Sequence, residues 1–192
     1  MEVDDMYSRM LRTFILLVTI AACGLAGTHE AAASEQTQTN DRLIRQIRRE
    51  LVTLPYYGVF DWLQFEVQPG NTIVLRGQVV RPSTKSEAEA RVKDIEGVSK
   101  VVNDIEVLPV SPSDERLRVA LYRTIYGSNS PLFRYATQSI PAIHIIVKNG
   151  RATLKGIVAS KSDAQLAYIR ARGVPGLFDV KSELIVEGEM PK

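Results

Sequence analysis

A short motif occurs twice in this chain and constrains its fold more than any other feature. Leu75-x-Gly77-x-Val79 returns as Leu154-x-Gly156-x-Val158, 79 residues later. The same offset, with no gap, also matches Ala88 with Ala167, Arg91 with Arg170, Gly97 with Gly176, Val101 with Val180 and Val107 with Val186. Because such self-similarity reflects repeated structural units, the sequence predicts two copies of one small domain.

Each copy predicts the element order helix, strand, strand, helix, strand. In the first copy, Leu43, Ile47 and Leu51 recur every fourth residue, which predicts a helix with one buried face. Hairpin turns are predicted at Pro69-Gly70-Asn71 and, in the second copy, at Asn149-Gly150. Since a helix joins the second and third strands, those strands should be parallel. The predicted fold class is α+β, with two tandem αββαβ modules, each a three-stranded mixed sheet with two helices packed on one face.

Hydroxyl residues near the helix starts predict N-caps. Thr84 with Glu87 forms a capping-box pattern, while Ser113 and Ser162 precede the apolar positions of two later helices.

The motif glycines are interpreted as structural positions. Gly77 and Gly156 fall within strands, where glycine marks a bulge or a close approach of backbone, and Gly97 and Gly176 are predicted helix stops.

The N-terminal segment predicts export. Arg9 and Arg12 precede an uncharged run from Thr13 to Gly27, whose apolar part is shorter than the roughly 20 residues of a membrane-spanning helix. We predict a secretory signal peptide at residues 1–22 and a small, polar tether at 23–39. The two predicted domains follow at residues 40–110 and 113–188.

Cys23 is the only cysteine of the chain. The residues Ile20-Ala21-Ala22-Cys23 resemble a bacterial lipobox, so lipidation of Cys23 is predicted. The alternative is conventional cleavage after Ala33, at an A-x-A pattern that would remove Cys23. Gly24 follows the cysteine, which by resemblance to Gram-negative lipoproteins implies sorting to the outer membrane.

Catalytic chemistry has few residues to use. His29 and His144 are the two histidines, and no P-loop or zinc motif occurs. We therefore predict no enzyme, no catalytic residue, no metal and no cofactor, although an enzyme in a cleft between the domains stays open as a weaker alternative. His144, within an apolar strand, is interpreted as a partly buried strand residue. The net charge of +2 is too small to indicate nucleic-acid binding.

Two kinds of surface carry the binding predictions. Arg42, Arg45 and Arg49, with Arg48 beside them, lie opposite the apolar stripe of the first helix. Each cation near an anionic membrane contributes on the order of 1 kcal/mol, but an ordinary solvated face explains the pattern equally well.

The longer connections 55–64 and 126–135 are rich in aromatic residues. Their candidates for lipid or partner contact are Tyr57, Trp62, Tyr126, Phe133, Arg134 and Tyr135. Aromatic rings beside arginine suit a membrane interface, a protein partner, or simple filling of a small core.

The duplicated motif, a helix rich in small residues and the pattern G-V-x-x-V-x-N-x-I-x-V from Gly97 to Val107 resemble the BON domain, the bacterial OsmY and nodulation module. Ser182 stands where the first copy has Asn103. The resemblance implies a periplasmic protein, membrane-anchored through Cys23, that maintains the envelope and binds anionic phospholipid. It also implies lipid contact at the first helix of the second domain and its surroundings, which here points to Arg118, Tyr122, Arg123 and the 126–135 loop. The alternative function is a protein-binding adaptor or chaperone-like factor for envelope or secretion components, with an envelope protein as partner.

Overall fold

The computed structural model describes residues 40–188. The predicted signal peptide and tether, with Cys23 and Ala33, lie outside the described residues. The chain divides into two compact units, residues 1–45 and 46–192, and the division falls within the first helix, α1, which spans residues 40–52. In the first unit Arg42 and Arg45 are exposed on this helix. The contacts described below all lie within the second unit.

The remaining elements follow the predicted order twice. The first module continues with β1 (Trp62–Gln68), β2 (Thr72–Val79), α2 (Pro82–Lys93) and β3 (Lys100–Val107). The second contains α3 (Pro112–Tyr126), a short 3-10 helix (Pro131–Tyr135), β4 (Ile143–Lys148), β5 (Arg151–Val158), α4 (Lys161–Arg172) and β6 (Asp179–Val186).

Each module has one three-stranded mixed sheet. The strand orders are β1-β2-β3 and β4-β5-β6, in which the hairpin strands are antiparallel and the strands joined by a helix are parallel. In the second module the core joins Leu121 and Ile125 of α3 and Ala167 of α4 with Ile145 and Leu154 of the sheet. The predicted α+β class with two tandem modules is confirmed.

The hairpin predictions are also confirmed. Asn149 and Gly150 form a two-residue turn with φ values of 52° and 73°. The first hairpin needs one more residue, because Gln68 pairs with Thr72 across Pro69-Gly70-Asn71. This difference shifts the register of β4 by one residue relative to β1.

The mid-strand glycines lie where their strands meet the backbone of the neighbouring strand. Gly77 has φ 133°, and a Cβ there would lie 1.9 Å from the carbonyl oxygen of Trp62. Gly156 has φ 126°, and its Cβ would lie 1.9 Å from the carbonyl oxygen of Ala142. Both positions exclude a side chain, since no L residue fits that φ or that distance.

The predicted N-caps were wrong by two or three residues. Arg81 is the N-cap of α2 without a side-chain hydrogen bond, and Thr84 is buried inside the helix, so the capping box of Thr84 with Glu87 does not form. Ser111 and Ser160, rather than Ser113 and Ser162, cap α3 and α4. Pro82 and Pro112 explain two of these cases, because proline is favoured at the first helical position and starts the helix early.

The helices end before the glycines that were predicted to stop them. Helix α2 has its C-cap at Asp94 and α4 at Gly173, whereas Gly97 and Gly176 lie three residues further on with φ values of 92° and 90°. These two glycines therefore shape the turns that lead into β3 and β6.

Candidate functional site

The connecting segment, residues 53–61, leads from α1 to β1 and lies against the second module. The amide of Ile145 donates to the carbonyl oxygen of Val59 at 2.8 Å. Val59 and Phe60 also pack against the hydrophobic core of the second module. Because β4 is an edge strand of its sheet, this backbone contact covers an edge that would otherwise be open.

Aromatic rings fill the space between the connecting segment and β4. The ring of His144 lies 5.8 Å from that of Tyr57 and 5.0 Å from that of Trp62, the latter edge to face. Phe60 approaches Tyr122 at 6.3 Å, and Tyr122 approaches Tyr126 at 5.2 Å. We call this contact between residues 57–62 and β4 the joint. Tyr57 and Trp62 are half-buried in it.

Ionisable groups at the joint are strongly desolvated. The buried carboxylate of Asp61 accepts from the amides of Gly58 at 3.1 Å and Val80 at 2.7 Å, and burial nevertheless raises its pKa. Burial also raises the pKa of Tyr57 to about 12. It lowers the pKa of His144, against the opposing effect of hydrogen bonding to the backbone of Asp61 and Gly58. Each shift has the same cause, since a low dielectric disfavours the charged form.

Three of the predicted binding residues are instead buried and bonded within the second module. Arg118 is 2% exposed and donates to the carbonyl oxygen of Val147 at 2.9 Å and to Glu115 at 3.0 Å. The hydroxyl of Tyr126 donates to the carbonyl oxygen of Ile143 at 2.6 Å and accepts from its amide at 3.0 Å.

The third buried residue, Tyr135, belongs to a network at the start of α4. Its hydroxyl donates to Asp163 at 2.9 Å and accepts from the amide of Ala159 at 2.8 Å. Arg134 and Ser160 donate to the same carboxylate oxygen at 2.6 Å and 2.8 Å. Desolvation raises the pKa of Asp163, but these hydrogen bonds outweigh it and the net pKa is lowered. The charge of Arg134 is therefore already paired.

Two of the candidates, Tyr122 and Arg123, line an apolar groove between α3 and the connecting segment. The groove has a volume of about 460 Å³ and is lined by Val59, Phe60, Val119, Tyr122, Arg123 and Pro141. Arg123 is exposed, and Phe133 is 47% exposed. Val119 and Pro141 were not predicted as binding residues, whereas Val59 and Phe60 lie in the 55–64 connection that the sequence singled out.

The arginines of α1 are exposed as predicted. Arg48 and Arg49 are solvent-facing in the second unit, as Arg42 and Arg45 are in the first. Among residues 40–188, no group of three or more His, Cys, Asp or Glu side chains is placed to hold a metal ion. In the same range, no helix has the length and apolar character needed to cross a membrane.

The BON domain model matches residues 39–109 and 133–188. The chain therefore belongs to the BON domain family and is a tandem BON protein, which confirms the resemblance carried by its motifs. Proteins of this family are typically associated with the bacterial envelope and with phospholipid binding, and the family is generally non-catalytic.

Two solved structures resemble the chain weakly. One is CdsD, a structural protein of the Type III secretion system of Chlamydia trachomatis, at 14% identity over 76% of this chain and 92% of that chain, with a TM-score of 0.30. The other is the C-terminal domain of CdsD, at 13% identity over 78% and 98% of the two chains, with a TM-score of 0.28. TM-scores this low do not establish a shared function with CdsD. No curated protein matches the chain significantly.

Proposed function

We propose that this chain is a non-catalytic envelope protein that binds anionic phospholipid through the second BON domain and supports envelope integrity. The observation that carries the proposal is the apolar groove, whose exposed cation, Arg123, stands beside Tyr122 and Val119 on α3. An apolar cleft beside a guanidinium matches a phospholipid, whose acyl chain seeks the cleft while its phosphate pairs with arginine.

Phe133 extends the same proposal. It is 47% exposed on the 3-10 helix, where its neighbour Arg134 is held by Asp163. A ring at this exposure suits the headgroup region of a bilayer. The exposed arginines of α1 supply a second set of cations, and the predicted acyl chains on Cys23 would keep the protein at the membrane surface, in the outer membrane of a Gram-negative cell. Mass spectrometry of the mature N-terminus tests this anchor, since a chain beginning at Ser34 would exclude it.

Vesicle co-sedimentation tests the headgroup claim. The soluble fragment 36–192, which lacks Cys23, is mixed with vesicles of phosphatidylcholine alone or of phosphatidylcholine with phosphatidylglycerol. We expect binding to the anionic vesicles that weakens with salt. Arg123→Gln should lower the affinity about fivefold, the equivalent of about 1 kcal/mol for one interfacial cation. The matched control is Arg172→Gln, another exposed arginine that does not line the groove.

The outcome also separates lipid binding from the adaptor function. Equal binding to neutral and anionic vesicles at low salt would contradict the headgroup claim. The adaptor alternative has fewer exposed aromatics than the sequence indicated, because Tyr57 and Trp62 pack on His144 and Tyr135 is buried. If a pull-down from envelope extract with Phe133→Ala loses a protein partner while vesicle binding is retained, the adaptor function is favoured.

A further inference from the structure

His144 is placed unusually for an ionisable residue. It lies on the outer face of β4, is 7% exposed, and is enclosed by the rings of Tyr57 and Trp62. Its Nδ1 atom is buried and has no hydrogen-bond partner, and the same holds for Nε1 of Trp62. Buried polar atoms are nearly always paired, and an unpaired one costs free energy. Two unpaired nitrogens at one contact therefore lower the stability of the joint.

The first module shows what the same strand position looks like without a joint. Ile143 pairs with Gly156 as Leu63 pairs with Gly77, so His144 corresponds in register to Gln64. Gln64 is exposed, whereas His144 is buried. The titratable side chain therefore occurs where the two modules touch, and an uncharged one occurs at the matching free position.

We infer that His144 is a proton-operated latch: the joint is closed when the imidazole is neutral and opens when it is protonated. In the closed joint, Nδ1 is buried and has no partner for the second proton of an imidazolium ion. Once residues 57–62 move off β4, the imidazolium becomes hydrated. Protonation therefore favours the open arrangement, because a charge buried without a partner is costly.

The charges around His144 act in both directions. Lys155, its cross-strand partner on β5, opposes protonation, although Lys155 is itself paired with Glu183 at 2.7 Å. His144 and Glu187 line one cavity beside Trp62, and the negative charge of Glu187 favours protonation of His144. Tyr57, with its pKa raised to about 12, stays neutral over the relevant range.

Asp61 is the remaining ionisable group at the joint, and Arg81 and Arg118 act on its carboxylate. Because burial raises the pKa of Asp61, acidification relieves the burial of its charge and tightens the joint. The pKa of His144 is lowered in the closed joint. Neutral His144 therefore stabilises the closed joint fully above the ordinary histidine pKa of about 6.5, and this stabilisation is lost as the pH falls below that value. The two groups therefore have opposite signs, and loosening on acidification can be assigned to His144.

Hydrogen exchange of the full chain tests the latch at one amide. Ile145 donates across the joint to Val59. Between pH 7.5 and 5, its protection factor, corrected for the intrinsic exchange rate, should fall by as much as about 30-fold, the limit for one proton with an open-state pKa of about 6.5. The amide of Leu154, inside the same sheet, should keep its protection. A fall of less than about twofold at Ile145, or an equal fall at Leu154, would overturn the latch.

Trp62 provides a second readout, because it is the only tryptophan of the chain. Its emission should change over the same pH range when residues 57–62 move away from His144. His144→Gln, which introduces the residue of the first module, should abolish this pH dependence, and the control His29→Gln should leave it intact. An identical transition in His144→Gln would assign the change to another group and overturn the inference. The exchange measurement needs no variant, so poor folding of His144→Gln would not weaken the test.

Discussion

β1 and β4 are equivalent strands of the two modules, but the environments of their outer faces, which point away from the helices, differ. In β1, Gln64 and Glu66 are exposed, and Glu66 forms a solvent-facing ion pair with Arg76 at 2.8 Å. In β4, the residues at matching register are His144 and Ile146, which are 7% and 4% exposed. Tyr57 and Trp62 of the first module cover His144, and Gln78 and Leu108, also of the first module, lie beside Ile146 around one cavity. A repeated fold can thus carry one free sheet face and one used for assembly within the same chain.

Gly156→Ala should lower stability more than any other change, because it alters the mid-strand glycine that both modules share. The new Cβ would lie 1.9 Å from a backbone oxygen at a φ of 126°, so the free energy of unfolding should fall by about 3 kcal/mol or more. Denaturant titration measures this, and Gly77→Ala should behave alike. The control is Gly58→Ala, where nothing lies within 4 Å of the added Cβ. A loss below about 1 kcal/mol at Gly156 would show that the strands shift freely.

Exchanging the outer-face residues tests the comparison itself. Ile146→Glu introduces the residue of β1 into the covered face of β4, where an unpaired charge should lower stability by about 3 kcal/mol. The reverse change, Glu66→Ile, lies on an exposed face and should stay within about 0.5 kcal/mol. Both values come from denaturant unfolding. Similar losses for the two variants would mean that the faces do not differ in burial.

The stability contributed by the start of α4 should depend on pH, whereas the stability contributed by the start of α2 should not. Asp163 accepts from Ser160, Tyr135 and Arg134 and has a lowered pKa, whereas the matching residue of the first module is the uncharged Thr84. The stabilisation that Asp163 contributes is therefore present above its unfolded-state pKa of about 3.9, and it is lost as the pH falls through the lower pKa of Asp163 in the folded protein.

Asp163→Asn should cost about 2 kcal/mol at pH 7, since hydrogen bonds to a charged group are removed. The difference from the wild type should shrink between pH 4.5 and 2.5, as measured by thermal unfolding. Thr84→Ser in α2 is the control, and its difference should not vary with pH. A constant gap for Asp163→Asn would mean that the carboxylate has no special stabilisation.

Phe178→Ser should have the smallest effect. Phe178 is 80% exposed, and its amide donates to the carbonyl oxygen of Gly150 at 2.9 Å, as the amide of Ser99 donates to Asn71 at 3.0 Å in the first module. Since the backbone contact is retained, stability should change by less than about 0.5 kcal/mol. A larger loss in denaturant unfolding would show that the ring supports the turn at Gly150, which it overlies.

Local signals predicted the modules well and the site only in part. The repeated motif, the hairpin residues and the helical spacing of Ile47 and Leu51 each reflect contacts within one module, so they indicated the fold correctly. The N-caps were misassigned by a few residues because Pro82 and Pro112 moved the helix starts. Arg118 resembled a surface cation, but a buried hydrogen bond to Val147 holds it within the second module.

By itself, the sequence determined that this protein is a tandem BON chain, because the periodicity of apolar residues and the conformational demands of Gly77 and Gly156 act over short distances. Only the tertiary structure decided which aromatic residues are internal. Tyr57 and Trp62 become part of the joint because His144, more than 80 residues away in the chain, lies beside them. Such burial depends on which surfaces meet, and periodicity within one strand or loop contains no record of that partner.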